Sequence, residues 1–364
     1  MKLTNKYSMD DDITRRRVFW LLKRLSSYSL WKRKRDSWAI FAEAYEKAVK
    51  TWPENDPDAL DPNNLIHIYE ALKLYDQGLD ELKTGHRHVW RANGDLFQLY
   101  KPVDIVRSRF FSRCHERGVQ QWPYPPKVEN INKLRLASEY AGSDYIVESH
   151  NLVANITNVN FLFSDILYEK EFHFLPHPVF PKQLSPVPDS LKDIISTGDV
   201  IPCDGIWEPG ELTMDLKWKV IPAGIKRFIN QGCFNYLLNG ARAPLINAFE
   251  SKKMKKKPVK WRLIWEDNRY CDGIIPDESD YFLDDAPGKR ITCNSGEPCP
   301  HSGCWATLAG EQQQFVNVNV GQVMPEATLF QSGFATEKCV PATWSLLERD
   351  DGGNVFITPQ ERDS

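Results

Sequence analysis

Between residues 12 and 82, apolar side chains return every three or four positions. Val18, Leu21, Leu22, Leu25 and Tyr28 form one stripe, with Asp12 placed to cap its start. Trp38, Phe41, Tyr45, Ala48 and Trp52 form a second, which must stop at Pro53 because proline has no amide hydrogen to donate. Leu65, Ile68, Tyr69, Leu72, Leu79 and Leu82 form a third after the DPNN turn at 61–64. Further helical candidates are 102–116, 130–141 and 145–168, although Val153, Ile156, Thr157 and Val159 in the last would also suit a strand. Helices separated by short turns predict an antiparallel helical bundle.

The texture then changes. Residues 176–190 (PHPVFPKQLSPVPDS) hold five prolines, a density that favours an extended connector. This places a boundary near 185, between a helical domain (1–185) and a β-rich domain (186–364). In VKWRLIW (259–265), Val259, Trp261 and Leu263 alternate with Lys260 and Arg262, the period of a half-buried strand, and FVNVNV (315–320) alternates in the same way. A helical insert is predicted at about 225–256, from Ile225 to Leu238 and again from Leu245 to Met254. A weak repeat links Pro202, Gly205 and Trp207 to Pro300, Gly303 and Trp305, each triplet preceded by a glycine (Gly198, Gly296) and followed by a proline (Pro222, Pro325). A tight turn that delivers a tryptophan onto a strand explains the pattern, and no titratable group recurs in it, so it reads as scaffold. The fold class is therefore α+β, a helical bundle followed by a β-rich domain with a duplicated turn-strand motif and a helical insert.

Composition narrows the class. With 12 Trp, 13 Tyr and 18 Phe in 364 residues, the chain can fill a sizeable core. Its apolar runs are only a few residues long, far short of the ~20 a spanning helix needs. The opening MKLTNKYSMDDD is polar and then acidic, unlike a Sec-type leader, which predicts a cytoplasmic protein with reduced thiols at its eight cysteines. The net charge of -3 conceals an asymmetry: residues 1–50 carry 13 basic and 6 acidic side chains, and residues 261–364 carry 7 and 17. A face of one sign steers partners of the other.

Catalytic and metal chemistry finds little purchase. Cys293, Cys299, His301 and Cys304 are zinc-type ligands, but their spacing is not that of paired Cys-x-x-Cys knuckles, and alternate residues of an extended segment face opposite ways. His173 and His177 stand four apart, but Pro176 breaks the helix that would align them. There is no G-x-S-x-G elbow, P-loop or G-x-G-x-x-G. The basic runs RRR (15–17), KRKR (32–35) and KKMKKK (252–257, read as a loop) could meet phosphates, but the chain is net acidic, which argues against direct nucleic-acid binding. No cofactor is expected.

These residues carry a resemblance. The opening RRRVFWLLKRLSSYSLWKR (15–33), together with GDVIPCDGIWEP (198–209), WRLIWEDNRYCDGIIPDE (261–278), SGEPCPHSGCW (295–305) and VGQVMPE (320–326), resembles the bacterial polymorphic-toxin immunity families immunity protein 71 and immunity protein 72. The chain departs from that pattern at Cys304, where an aromatic is common, and at QQQFVNVN (312–319), where basic residues are common. The resemblance implies a non-catalytic inhibitor that binds a cognate toxin of a type VI or Rhs-type system. From the residues themselves, the acidic run Glu266, Asp267, Asp272, Asp277, Glu278, Asp280, Asp284 and Asp285 is a candidate toxin-binding surface, because carboxylates can imitate the phosphates that a nuclease toxin holds. Trp265, Tyr270 and Tyr281 are its candidate aromatic anchors. A rival surface is the basic one at Arg15–Arg17 and Lys32–Arg35. Two other classes stand beside this reading: a zinc-stabilised interaction module, and an enzyme whose site is assembled from distant residues. Self-association is not legible.

Overall fold

The computed structural model describes residues 7–53, 55–111, 124–138, 146–149, 152–159, 162, 180–189, 193–217, 221–250, 253–283, 290–309, 312–330, 337–353, 355 and 357. The first stripe becomes α1 (Asp12–Leu25), capped one residue earlier than expected: Asp11, not Asp12, accepts the Thr14 amide at 2.7 Å. A two-residue turn, Ser26–Ser27, leads into α2 (Tyr28–Thr51), which ends before Pro53, and the third stripe is α3 (Asn64–Leu82). A single 3-10 turn at Arg87–Trp90 precedes α4 (Asp95–Gln98), α5 (Tyr100–Arg109) and α6 (Pro126–Ser138). α2 packs on α3 and α6, and α3 on α5. The faces are sealed by Trp31, Trp38, Phe41 and Tyr45, all fully buried, and the Trp38 indole donates to the Ile68 carbonyl at 2.9 Å. Of the candidate helix at 145–168, residues 146–149 and 152–158 are not helical, whereas Val159 and Leu162 are. Val153 instead makes a parallel bridge to Leu245, and the Ala154 amide donates to the Leu245 carbonyl at 2.7 Å.

The second half consists of small antiparallel sheets. β1 (Ile194–Ser196), β2 (Gly205–Lys217), β3 (Ile221–Asn230), β4 (Asn235–Leu237) and β7 (Lys260–Glu266) form one, in the order β1-β7-β2-β3 with β4 also on β2. β5 (Ile246–Glu250) and β6 (Lys253–Lys257) form a hairpin. β8 (Thr292–Asn294), β9 (Gly303–Ala309), β10 (Gln312–Val318) and β13 (Thr343–Arg349) form a second sheet, and β11 (Ala327–Phe330) with β12 (Glu337–Val340) a second hairpin.

The helical insert at 225–256 is corrected: its described residues are the end of β3, then β4, β5 and β6. For β4 and its flanks the reason is burial on both sides. Residues 233–238 are all buried, and a continuous apolar run carries no period to separate helix from strand. Within the KKMKKK run, Lys253–Lys257 form β6 rather than a loop.

The duplicated motif proves larger than its six signature residues. Gly198, at φ 90°, donates its amide to the Ala243 carbonyl at 2.8 Å, and Gly296, at φ 87°, donates to that of Met324 at 2.9 Å. Thr197 Oγ1 donates to the Pro244 carbonyl at 3.0 Å, and Ser295 Oγ to that of Pro325 at 2.8 Å. The Trp261 indole donates to Pro244 at 2.9 Å and the Trp344 indole to Pro325 at 2.7 Å. Pro325 therefore corresponds to Pro244, whereas Pro222 lies within β3. Gly205 and Gly303 each begin a strand against a neighbouring carbonyl: a Cβ would stand 2.1 Å from the Trp265 oxygen and 2.0 Å from the Glu348 oxygen. Trp207 and Trp305 are fully buried. The two modules thus share both their turn chemistry and their strand order. They differ in their surroundings. The first shares one apolar core with the helices, and the second closes around its own, built on Trp305, Trp344, Leu346, Met324 and Cys299.

Candidate functional site

The acidic run leaves β7 and enters a loop that lies against the helices. Asp267 is fully buried and meets two guanidinium groups. Arg87, from the 3-10 turn, donates from Nε at 2.9 Å and from Nη2 at 2.8 Å, a two-pronged pairing. Arg269 donates from Nη2 to Oδ2 at 2.7 Å, where Tyr236 Oη also donates at 2.7 Å. Burial alone would raise the Asp267 pKa, but the Arg269 and Arg87 charges outweigh it and hold the carboxyl below its ordinary 3.8.

Arg269 then reaches across to the helices. Its Nη1 donates to the Lys23 carbonyl at 3.0 Å and its Nη2 to Ser26 Oγ at 2.7 Å. Buried Glu278 accepts from the Ser29 amide at 2.9 Å and from Tyr270 Oη, and it lies 3.8 Å from Arg269 Nη1. The Tyr28 amide donates to Tyr270 Oη at 2.9 Å. Arg87, Arg269, Asp267 and Glu278 therefore form a charge-balanced buried cluster at the turn between α1 and α2. A second junction lies along α1, where Arg15 Nη1 donates to Glu208 at 2.8 Å and Arg262 pairs with the other oxygen of the same carboxylate. Burial would raise the Glu208 pKa, but the bonds from Arg15 and Arg262 pull it below 4.5. Trp265 meets Phe19 edge-on at 6.1 Å, and Tyr281 meets Trp20 at 5.7 Å.

The cluster divides the candidate surface residues into two groups. Asp267, Glu278 and Tyr270 are buried and committed to internal bonds, while Trp265 and Tyr281 are half-buried against α1. Glu266, Asp272, Asp277 and Asp280 are exposed, and Asp284 and Asp285 lie outside the described residues. Sequence reasoning missed Ile274 and Ile275, 65% and 38% exposed, at the tip of the same loop. The loop is held at both ends. Tyr270, at φ 70°, and Glu278 anchor its flanks, and the Asp272 and Asp277 carboxylates accept the Ile274 and Ser279 amides, each at 2.9 Å. The result is an apolar tip rimmed by carboxylates on a fixed base.

The other candidates are dispersed. Cys293 and Cys299 are buried in the second module's core, and the Cys299 thiol donates to the His301 carbonyl. Cys304 faces the other side of β9, and burial, then the Glu348 and Asp350 charges, pushes its thiol pKa up. Among the described residues, no group of three His, Cys, Asp or Glu side chains is placed to hold a metal ion. His173 and His177 lie outside them. Much of the basic helical surface is used internally: Arg16 pairs with Asp12, Lys32 with Asp36 and Arg35 with Asp76, and Arg33 stacks 3.8 Å from the Phe282 ring centre. Among the described residues, no helix is long and apolar enough to cross a membrane.

Comparison with known families now falls on this geometry. The chain resembles immunity proteins along both halves, and proteins of that class neutralise a cognate toxin. Residues 9–165 match the family model Immunity protein 71, and residues 186–283 match Immunity protein 72. No curated protein and no solved structure matches the chain. The two matched segments meet at the buried cluster, the first supplying Ser26, Ser29 and Arg87, the second Asp267, Arg269 and Glu278. The segment after 283, which holds the second module, lies outside both matches.

Proposed function

We propose that the chain binds its cognate toxin in the cytoplasm and occludes the toxin's working surface, without chemistry of its own. The contact we assign is the loop 271–280, with Ile274 and Ile275 as the central anchor and Asp272, Asp277 and Asp280 as a steering rim, joined by Glu266 and the run that continues to Asp284 and Asp285. One observation carries this reading: an apolar tip ringed by acids is exposed on a loop whose base is locked by buried charges. Apolar anchors at the centre with charge at the rim are how tight, fast-associating interfaces are built, and a preformed loop loses little entropy on binding. A basic toxin cleft, such as one that holds phosphates, is the complementary surface. The rival basic surface on the helices is less supported, because Arg15, Lys32 and Arg35 already have carboxylate partners.

The test is the triple variant Asp272→Asn, Asp277→Asn, Asp280→Asn, which removes charge while retaining side-chain oxygens for the turn bonds. Against the toxin encoded alongside the chain, association should slow and lose much of its salt dependence. An unchanged association rate and salt slope would dismiss the loop as the contact.

A further inference from the structure

The base of the loop 271–280 is seated on the helices. α1 and α2 meet in the elbow Ser26–Ser27, and each helix end there carries backbone groups that the helix itself cannot satisfy. The end of α1 has a partial negative charge, and the start of α2 a partial positive one. Ser27 Oγ accepts one amide of α2, that of Leu30, at 3.3 Å. The two before it turn to the other half of the chain. The Tyr28 amide donates to Tyr270 Oη and the Ser29 amide to Glu278, each at 2.9 Å. The first turn of α2 has no acid of its own, so Glu278 supplies the charge that this helix end favours. At the other side of the elbow, Arg269 donates to the Lys23 and Ser26 carbonyls at 3.0 and 3.2 Å. Each charge of the loop base thus meets a helix end of opposite sign.

The same side chains set the shape of the loop. Tyr270 is held at φ 70°, a left-handed backbone that a tyrosine adopts only where its surroundings impose it. Its ring meets Tyr28 edge-on at 6.4 Å, and the Arg87 and Arg269 guanidinium groups stand 5.3 and 5.5 Å from its centre. Its hydroxyl donates to Glu278, so one side-chain bond closes the span that carries Ile274 and Ile275. Inside that span the Gly273 amide donates to the Tyr270 carbonyl at 2.8 Å, and the turn begins from the strained residue itself.

Resting on the reading of this loop as the toxin contact, we infer that Tyr270 and Glu278 are positioning residues for toxin binding, and that the N-terminus of α2 is the clamp to which they hold the loop. The helical half then takes part in recognition without touching the toxin, by setting the tip before contact. Tyr270 and Glu278 are both buried, so their effect passes through Ile274 and Ile275. A tip ordered in advance slows dissociation, while the exposed carboxylates govern steering.

Tyr270→Phe removes the hydroxyl and leaves the ring. In the full-length variant, amide hydrogen exchange should quicken about tenfold or more across 272–279 and stay unchanged in α3 and in the second module. Against the toxin encoded alongside the chain, dissociation should also quicken about tenfold or more. The salt slope of association should keep its wild-type value, because Asp272, Asp277 and Asp280 are untouched. Glu278→Gln keeps the shape and removes the charge at the helix end; it should move both readouts the same way, and it serves if Tyr270→Phe fails to fold. The Asp272, Asp277, Asp280 triple variant should show the reverse pattern, a changed salt slope on a loop that exchanges as in wild type. Wild-type exchange across 272–279 in both variants overturns the inference. So does faster exchange spread evenly through α1, α2 and α3, the mark of lost stability alone, and so does a looser loop with unchanged dissociation. A triple variant that associates as wild type is a separate failure, that of the toxin-contact reading, and leaves the exchange result to decide the clamp.

Discussion

Replacing Asp267 with asparagine tests the idea that the two halves are locked by buried charge. The wild-type carboxylate is fully buried, accepts five short bonds from the side chains of Arg87, Arg269 and Tyr236, and balances two guanidinium groups together with Glu278. Asparagine keeps the shape but removes the charge and turns two of the acceptor sites toward donor groups. Arg87, itself buried, is then left without its counter-ion, and removing one partner of a buried pair costs about 3–5 kcal/mol. The assay is urea unfolding followed by tryptophan fluorescence at neutral pH. With a urea slope of about 3 kcal/mol/M, the midpoint should fall by roughly 1–1.7 M. Adding Arg87→Gln should recover part of the loss, because the orphaned charge goes with it. A loss below about 1 kcal/mol, or additive losses in the double variant, would show that the cluster does not lock the halves.

The cluster and the Glu208 junction together set the acid response. Both Asp267 and Glu208 titrate below their ordinary values, 3.8 and 4.5, so their stabilisation is complete above those values and drains away as pH falls from them through the lower folded-state values. Unfolding followed by circular dichroism should show stability falling steeply below about pH 4, and more shallowly in Asp267→Asn. Gly303→Ala drives a Cβ into the Glu348 carbonyl, an overpacking of about 1–3 kcal/mol or more. Because the second module closes around its own core, hydrogen exchange should speed up in 292–350 and leave the helices protected. Gly205→Ala makes the same clash against Trp265, but its module shares the helical core, so loosening should extend into α1.

The helices were legible because their stripes face one core and α2 stops before Pro53, whereas the cap of α1 is Asp11 and not the expected Asp12. β7 was legible because Trp261 and Leu263 alternate with Lys260 and Arg262. The strands at 225–256 were not, because residues 233–238 of β4 and its flanks are all buried and carry no period, and β3 and β4 take their state from pairing with β2. The repeat was visible as Pro-x-x-Gly-x-Trp. Its true extent rests on the Thr197 and Ser295 hydroxyls donating to the Pro244 and Pro325 carbonyls, 47 and 30 residues away in the chain, a pairing that no local pattern marks. The acidic run was seen as a single surface, yet Asp267 and Glu278 face inward. Their partners, Arg87 and Ser29, lie about 180 and 250 residues away in the chain, and nothing local separates a carboxylate bound to such a partner from a free one. Ile274 and Ile275 carried a signal that could have been used: two β-branched apolar residues between a glycine and a proline, in a stretch too polar to form a strand.

The charged seam between α1 and the loop after β7 also governs how such genes can be reshuffled. A crossover in the proline-rich stretch before 186 would join a helical half from one lineage to a sheet half from another, and would already have to keep Phe180 against Trp20 and the Leu184 carbonyl within reach of Arg16. The hybrid would also have to match Arg87 to Asp267, Arg15 to Glu208 and Ser26 to Arg269 at once. An unmatched member strands a charge in the interior. Under the proposed function, exchange of toxin specificity is cheapest at the loop tip, where a new sequence can be inserted without renegotiating that seam.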